Sequence, residues 1–119
     1  MEDADTIAGL IKRVLVTTVQ VPILKQVVDQ PDMFFEFKPQ ATFTDGNDLV
    51  TGIEIDAERV TLMHGRFSGF NNLAGDEAIR LTANAKNCLI FGVRFFGNNV
   101  NINDLGVGNV IVNNIVEVA

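Results

Sequence analysis

Five carboxylates, Asp56, Glu58, Asp76, Glu77 and Asp104, are the groups in the second half of this chain best suited to acid–base work. Glycoside hydrolysis needs two carboxyl groups roughly 5 to 9.5 Å apart, one to give a proton and one to attack or to activate water. Asp56 and Asp104 form the pair that a regular repeat would bring to one face, about two strand spacings apart. The plainer reading is a solvated loop edge. Asp76 and Glu77 fall in an apparent loop, where surface charge requires no function. Arg66 and Arg94 occupy matching positions, 94 − 66 = 28 residues apart. Stacked like charges cost energy unless an acid or a partner compensates them. The two arginines therefore read either as an anion or carboxylate-sugar site or, the plainer reading, as ion pairs with nearby acids or part of an interface. Asp56, Asp104, Arg66 and Arg94 are the candidate contacts for a glycan or a partner, and no residue is assigned as catalytic.

Metal and nucleophile chemistry find less support. His64 is the single histidine and has no Cys or His at ligand spacing, so it makes a poor metal site and reads as a corner residue. Cys88 is the single cysteine, in an apolar setting that suits an inert buried thiol better than a nucleophile. It makes no internal disulfide, so folding does not depend on an oxidising compartment. No cofactor is expected. Asn71, Asn72, Asn98, Asn99, Asn113 and Asn114 mark corners, as internal Asn ladders or left-handed turns.

The 119 residues are enough for one domain with one core. Nine Phe with no Trp or Tyr supply apolar filling without the flat amphipathic rings that sugar-cleaving grooves use for stacking. A net charge of −6 argues against duplex nucleic acid and against an anionic membrane surface, both of which reward Lys and Arg. The acidic start (Glu2, Asp3, Asp5) lacks the positive charge of a signal peptide, so synthesis in a cytoplasm is expected.

Asp3–Leu15 has the apolar spacing of an amphipathic helix, carried by Ile7, Leu10, Ile11, Val14 and Leu15. Val14–Val21 turns to β-branched residues, and Pro22 limits any helix running through it. Ile23–Val28 is open between helix and strand. Asp29–Asp32 is a turn. Met33–Lys38 alternates as a strand with Phe35 and Phe37 on one side. Phe43–Asp48 carries an Asp-Gly signal and reads as a loop. From Leu49 onward, short strands alternate with Gly and Asn corners.

That second half repeats. Asn87–Asn99 contains two strands, Cys88–Phe91 and Val93–Phe96, separated by Gly92. Arg59–Asn71 matches it at an offset of 87 − 59 = 28, and the segment from Asn109 matches at 109 − 87 = 22. A second strand family precedes each copy: Gly52–Ala57, Ala78–Ala83 and Val100–Leu105. Three short strands per repeat make one coil of a parallel β-solenoid, stacked at about 4.8 Å. The offsets predict three inward ladders: Val60, Cys88 and Val110; Leu62, Ile90 and Val112; and Phe67 with Phe95. The alternative is an antiparallel sandwich.

The run Asn-Cys-Leu-Ile-Phe-Gly-Val-Arg-Phe-Phe-Gly-Asn resembles the coils of right-handed parallel β-helix proteins, which include the pectate-lyase-like superfamily and the tailspikes and tail fibres of tailed phages. The resemblance covers 49–119. It implies a mainly-β fold: a short right-handed parallel β-helix of about three coils, with 1–48 as a capping region that includes the N-terminal helix. No catalytic motif of the pectate lyases matches, including their calcium-binding Asp cluster. The expected function is a non-enzymatic structural or attachment module, as a phage virion component that forms a homo-oligomer, a trimer by analogy, with a glycan or virion protein as partner. The alternative is a fragment of a polysaccharide lyase or hydrolase acting on acidic glycans. A bactofilin-like cytoskeletal solenoid is a third reading.

Overall fold

The computed structural model describes residues 20–38, 41–46 and 51–118. Those residues are mainly β and contain no helix. The helix expected over Asp3–Leu15 lies outside them.

A strand β1 (Gln20–Ile23) leads into four successive triplets: β2 (Gln26–Val28), β3 (Phe34–Glu36) and β4 (Thr42–Asp45); β5 (Thr51–Ile55), β6 (Thr61–Met63) and β7 (Arg66–Ser68); β8 (Glu77–Leu81), β9 (Leu89–Phe91) and β10 (Arg94–Phe96); β11 (Val100–Asp104), β12 (Val110–Val112) and β13 (Ile115–Val116). Every strand pairs in parallel with the strand three places along the chain. The result is three parallel sheets: β2-β5-β8-β11 (the first), β3-β6-β9-β12 (the second) and β1-β4-β7-β10-β13 (the third). The chain visits them in strict rotation, a solenoid-like arrangement in which each triplet is one layer. Strands β1 to β4 already belong to these sheets, so a layer precedes the three expected from Leu49 onward. Pro22, which has no N–H to give, sits in β1 and pairs only with β4 on the edge of the third sheet.

The core is built from columns of like residues. Phe35, Leu62, Ile90 and Ile111 stand above one another in the second sheet. In the third sheet Phe43, Phe67 and Phe95 do the same, with ring centroids 5.1 and 6.0 Å apart. Ile53, Ile79 and Ile102 continue the pattern in the first. One sequence expectation fails by a single residue. Val112 lies over Phe91, and Ile111 takes the place over Ile90, because the step from β9 to β12 is 21 residues (110 − 89), not 22. A one-residue slip reverses which side chains point inward. Val110, Ile111 and Val112 are all apolar, so no alternation distinguished the two registers. Val110 likewise does not extend the Val60–Cys88 ladder, and Asn109 meets Cys88 instead. A second correction concerns Phe43, read as loop: it lies in β4 and is fully buried against Phe67.

Corners between the sheets need backbone in the left-handed region, which Gly and Asn reach at least cost. Asp32, Arg59, Asn87 and Gly108 adopt it between the first and second sheets, and His64, Gly92 and Asn113 between the second and third. Gly92 is required twice over: its φ is 69°, and an added Cβ would stand 2.7 Å from His64 Cδ2.

Three asparagines fasten one layer to the layer before it, one at each kind of corner. Asn98 accepts the Phe70 N–H and donates to the Phe67 carbonyl, both at 3.0 Å. Asn109 accepts from Cys88 N at 2.8 Å and donates to Ala85 O at 3.0 Å. Asn114 accepts from Val93 N at 2.8 Å and donates to Ile90 O at 3.2 Å. In each case the N–H and the carbonyl are three residues apart. The Cys88 thiol makes the same pair of contacts, with Val60 N at 3.4 Å and Ala57 O at 3.3 Å. It is the sulfur counterpart of the asparagine clamp, and it is buried.

Candidate functional site

The four candidate residues do not converge. Arg66 on β7 and Arg94 on β10 are register partners on the outer side of the third sheet. Glu117, just past β13, reaches back to both. Arg66 Nε and Nη2 each lie 2.9 Å from Glu117 Oε1, and Arg94 Nη1 lies 3.7 Å from Oε2. The Arg66 guanidinium also sits over the Phe96 ring, 5.3 Å from its centroid. The repulsion between stacked cations is thus relieved within the chain. The Arg66 hydrogen bond, above all, holds the Glu117 carboxyl below its ordinary range of about 4.5.

Asp56 and Asp104 are two layers apart but one residue out of step. Asp104 stands in the column of Ile55 and Leu81, whereas Asp56 follows Ile55 in the chain and falls in the next column. On a β-strand that difference turns the two side chains to opposite sides. Each has its own partners. Asp56 Oδ1 accepts from Thr82 Oγ1 at 2.5 Å and Asn84 Nδ2 at 3.0 Å, and the Thr82 bond is the main reason its carboxyl is held low. Asp104 Oδ1 accepts from Asn109 Nδ2 at 2.8 Å and from Gly106 N at 3.0 Å.

Asp56 does border a concavity of about 370 Å³ at the corner between the first and second sheets, with Asp29, Glu58, Arg59 and Lys86 on its walls. Arg59 is held there by a two-pronged bond to Asp32 (2.6 and 3.2 Å) and a contact with Glu58 at 3.3 Å. The walls mix signs and all the charged groups are solvated, so the hollow selects no ligand charge.

Asp76 and Glu77, read as loop surface, are both buried. Glu77 opens β8 and takes bonds from Thr51 Oγ1 (2.9 Å), Arg80 Nη1 (3.0 Å) and Asn103 Nδ2 (2.6 Å), tying three layers of the first sheet together. A buried carboxylate with three donors is a satisfied structural ion. Asp76 accepts from Leu73 N at 2.9 Å and closes its own turn. The sequence signal for Glu77 was its place at the head of a strand, opposite Thr51. His64 is a corner residue, as expected; its Nδ1 lies 3.1 Å from Glu36 Oε2. Among the described residues no group of three or more His, Cys, Asp or Glu is placed to hold a metal ion.

The larger departure from ordinary surface is apolar. In the layer β11–β13, Ile111 is 38% exposed and Val116 64%, whereas Ile90 and Phe95, one layer beneath in the same columns, are 0% and 1% exposed. The upper backbone edges of these three strands have no neighbour among the described residues. The first layer is closed by contrast: Val28, Phe35, Phe37 and Phe43 are all buried.

Comparison with family models, with curated proteins and with solved structures gives no match for this chain.

Proposed function

We propose that this chain is a non-enzymatic structural or attachment module, wound as a right-handed parallel β-helix, whose open layer is completed by another protein surface, in the first place further copies of itself. Right-handed winding follows the strong chiral preference of parallel crossovers. The setting that fits is a virion tail spike, fibre or capsid-associated component, and a trimer is the assembly that the resemblance to phage β-helices implies.

The observation that carries the proposal is the contrast between the open layer and the one beneath it. Leaving aside Val110, Val112 and Ile115, which lie in outward columns, five apolar side chains between Leu105 and Val118 are 38% to 90% exposed. Covering what remains of each, about half a side chain, is worth roughly 4 to 8 kcal/mol at 1.5 to 3 kcal/mol per whole residue. That reaches the lower part of the cost of association, about 4 to 15 kcal/mol, before any strand-edge hydrogen bonds are counted. The candidate charges, by contrast, are bound within the chain. Size-exclusion chromatography with light scattering tests this. The expected mass is a multiple of 13.0 kDa, reduced by Val116→Lys. A monomer at every attainable concentration contradicts it, as does turnover of an acidic polysaccharide that Asp104→Ala abolishes.

A further inference from the structure

The three sheets differ sharply on their outer faces. On the first, Val27, Glu54, Arg80 and Asn103 share a column, and Lys25 lies 3.5 Å from Glu54. The third presents Arg66 and Arg94 with Glu117. The second presents two columns, Phe34-Thr61-Leu89-Val110 and Glu36-Met63-Phe91-Val112. Six of those eight residues are apolar. The one charge, Glu36, is met by His64. Phe34 is 62% exposed, Val110 49% and Val112 40%. This face runs the height of the stack, and only its last two residues, Val110 and Val112, belong to the open layer.

We infer that the outer face of the second sheet is a lateral docking surface for a second copy of this chain, patch against patch about a two-fold axis. The inference goes beyond the open-layer assembly and stands on a separate surface. Three arguments select the occupant. Parallel sheets are ordinarily covered on both faces, and among the described residues no strand lies over the outer face of this sheet. A two-fold contact sets the same patch against itself, so any unpaired charge would meet its own kind. The second sheet carries one charged side chain, Glu36 at the end of its column, against Glu54 and Arg80 on the first sheet and Arg66, Arg94 and Glu117 on the third, so it is the face where two chains of net charge −6 meet with the fewest charges to bury. Area agrees: Phe34 leaves on the order of 120 Å² uncovered, at about 200 Å² per aromatic ring. The partly exposed neighbours bring the apolar total to roughly 300 to 400 Å², within the range of the largest apolar patch on a typical monomer. A standard interface supplies about 450 to 500 Å² of apolar area per partner. The pairing is therefore reversible.

The test is sedimentation velocity over a concentration series, in a Val116→Lys background that removes the open-layer contact. The Val116→Lys protein is expected to show a concentration-dependent monomer–dimer equilibrium. Adding Phe34→Lys with Leu89→Lys is expected to leave monomer only, with an unchanged circular-dichroism spectrum. Val27→Lys, on the first sheet's outer face, should leave the equilibrium intact. A Val116→Lys protein that is monomeric throughout overturns the lateral surface while leaving the open-layer assembly standing. Dimer that survives Phe34→Lys with Leu89→Lys overturns it too. So does monomeric Val116→Lys protein that binds neutral phosphatidylcholine vesicles through Phe34, which would make the face a lipid surface. If Val116→Lys has no effect on the wild-type mass but the Phe34 and Leu89 changes reduce it, the lateral contact holds and the open-layer reading fails.

Discussion

Replacing Asn98 by alanine isolates one layer clamp. The side chain accepts the Phe70 N–H and donates to the Phe67 carbonyl, and both phenylalanines are fully buried. Alanine leaves a donor and an acceptor without partners in a corner where its small methyl group replaces neither. Each orphaned buried group costs about 1 to 3 kcal/mol, so Asn98→Ala should lose roughly 2 to 4 kcal/mol of stability. Asn99 next door is the control. It is exposed, and among the described residues its side chain makes one bond, donated to Leu73 O at 2.6 Å, so Asn99→Ala should cost about 1 kcal/mol or less. Urea unfolding followed by far-ultraviolet circular dichroism is the assay, since the chain has no Trp or Tyr to report by fluorescence. The midpoint should fall for Asn98→Ala with the slope unchanged. Equal losses for the two variants, or a change at Asn98 below about 0.5 kcal/mol, would refute the idea that these amides hold the layers together.

Three further substitutions examine neighbouring claims. Cys88→Asn should match or exceed wild-type stability by up to about 1 kcal/mol, because an amide makes better bonds to Val60 N and Ala57 O than a thiol, while Cys88→Ala should lose about 1 to 2 kcal/mol; the reverse order in urea melts would break the equivalence. Glu117 has its carboxyl depressed in the folded state, so its contribution is present above the unfolded value near 4.5 and is lost as pH falls through the folded value. Acid titration of stability should therefore be flatter for Glu117→Gln than for wild type, and coincident curves would contradict the arginine bridge. Gly92→Ala should cost about 1 to 3 kcal/mol from its left-handed backbone, plus the contact with His64, and His64→Ala in the same chain should recover only the contact; full recovery in thermal melts would show that the backbone carries no strain.

The repeat was legible where chemistry punctuated it. Phe67 and Phe95, each followed two residues later by Gly, set the offset of 28 that the register of β7 and β10 confirms. Leu62 and Ile90 were aligned for the same reason. It failed where the pattern was silent. Val110 to Val112 present no polar residue to fix a face, so the last layer was placed one residue out. Phe43 was hidden by the Asp-Gly behind it, and an earlier layer went uncounted because its corners carry Pro and Asp in place of the Gly and Asn of later ones. Glu77 shows a different limit. A carboxylate in a loop-like run looks solvated, and its burial became visible only once Thr51, Arg80 and Asn103 were brought around it from three layers. The charged candidates follow the same logic: spacing aligned Arg66 with Arg94, but Glu117, which decides their role, lies 51 residues from Arg66 in the chain.

The stacking itself is tested most directly by methyl nuclear Overhauser contacts on isotope-labelled protein. Cross-peaks are predicted from Leu62 to Ile90 and from Ile90 to Ile111, running up one column of the second sheet. Spectra that place Leu62 far from Ile90, or that link these strands in antiparallel order, would contradict the three-sheet architecture and everything drawn from it.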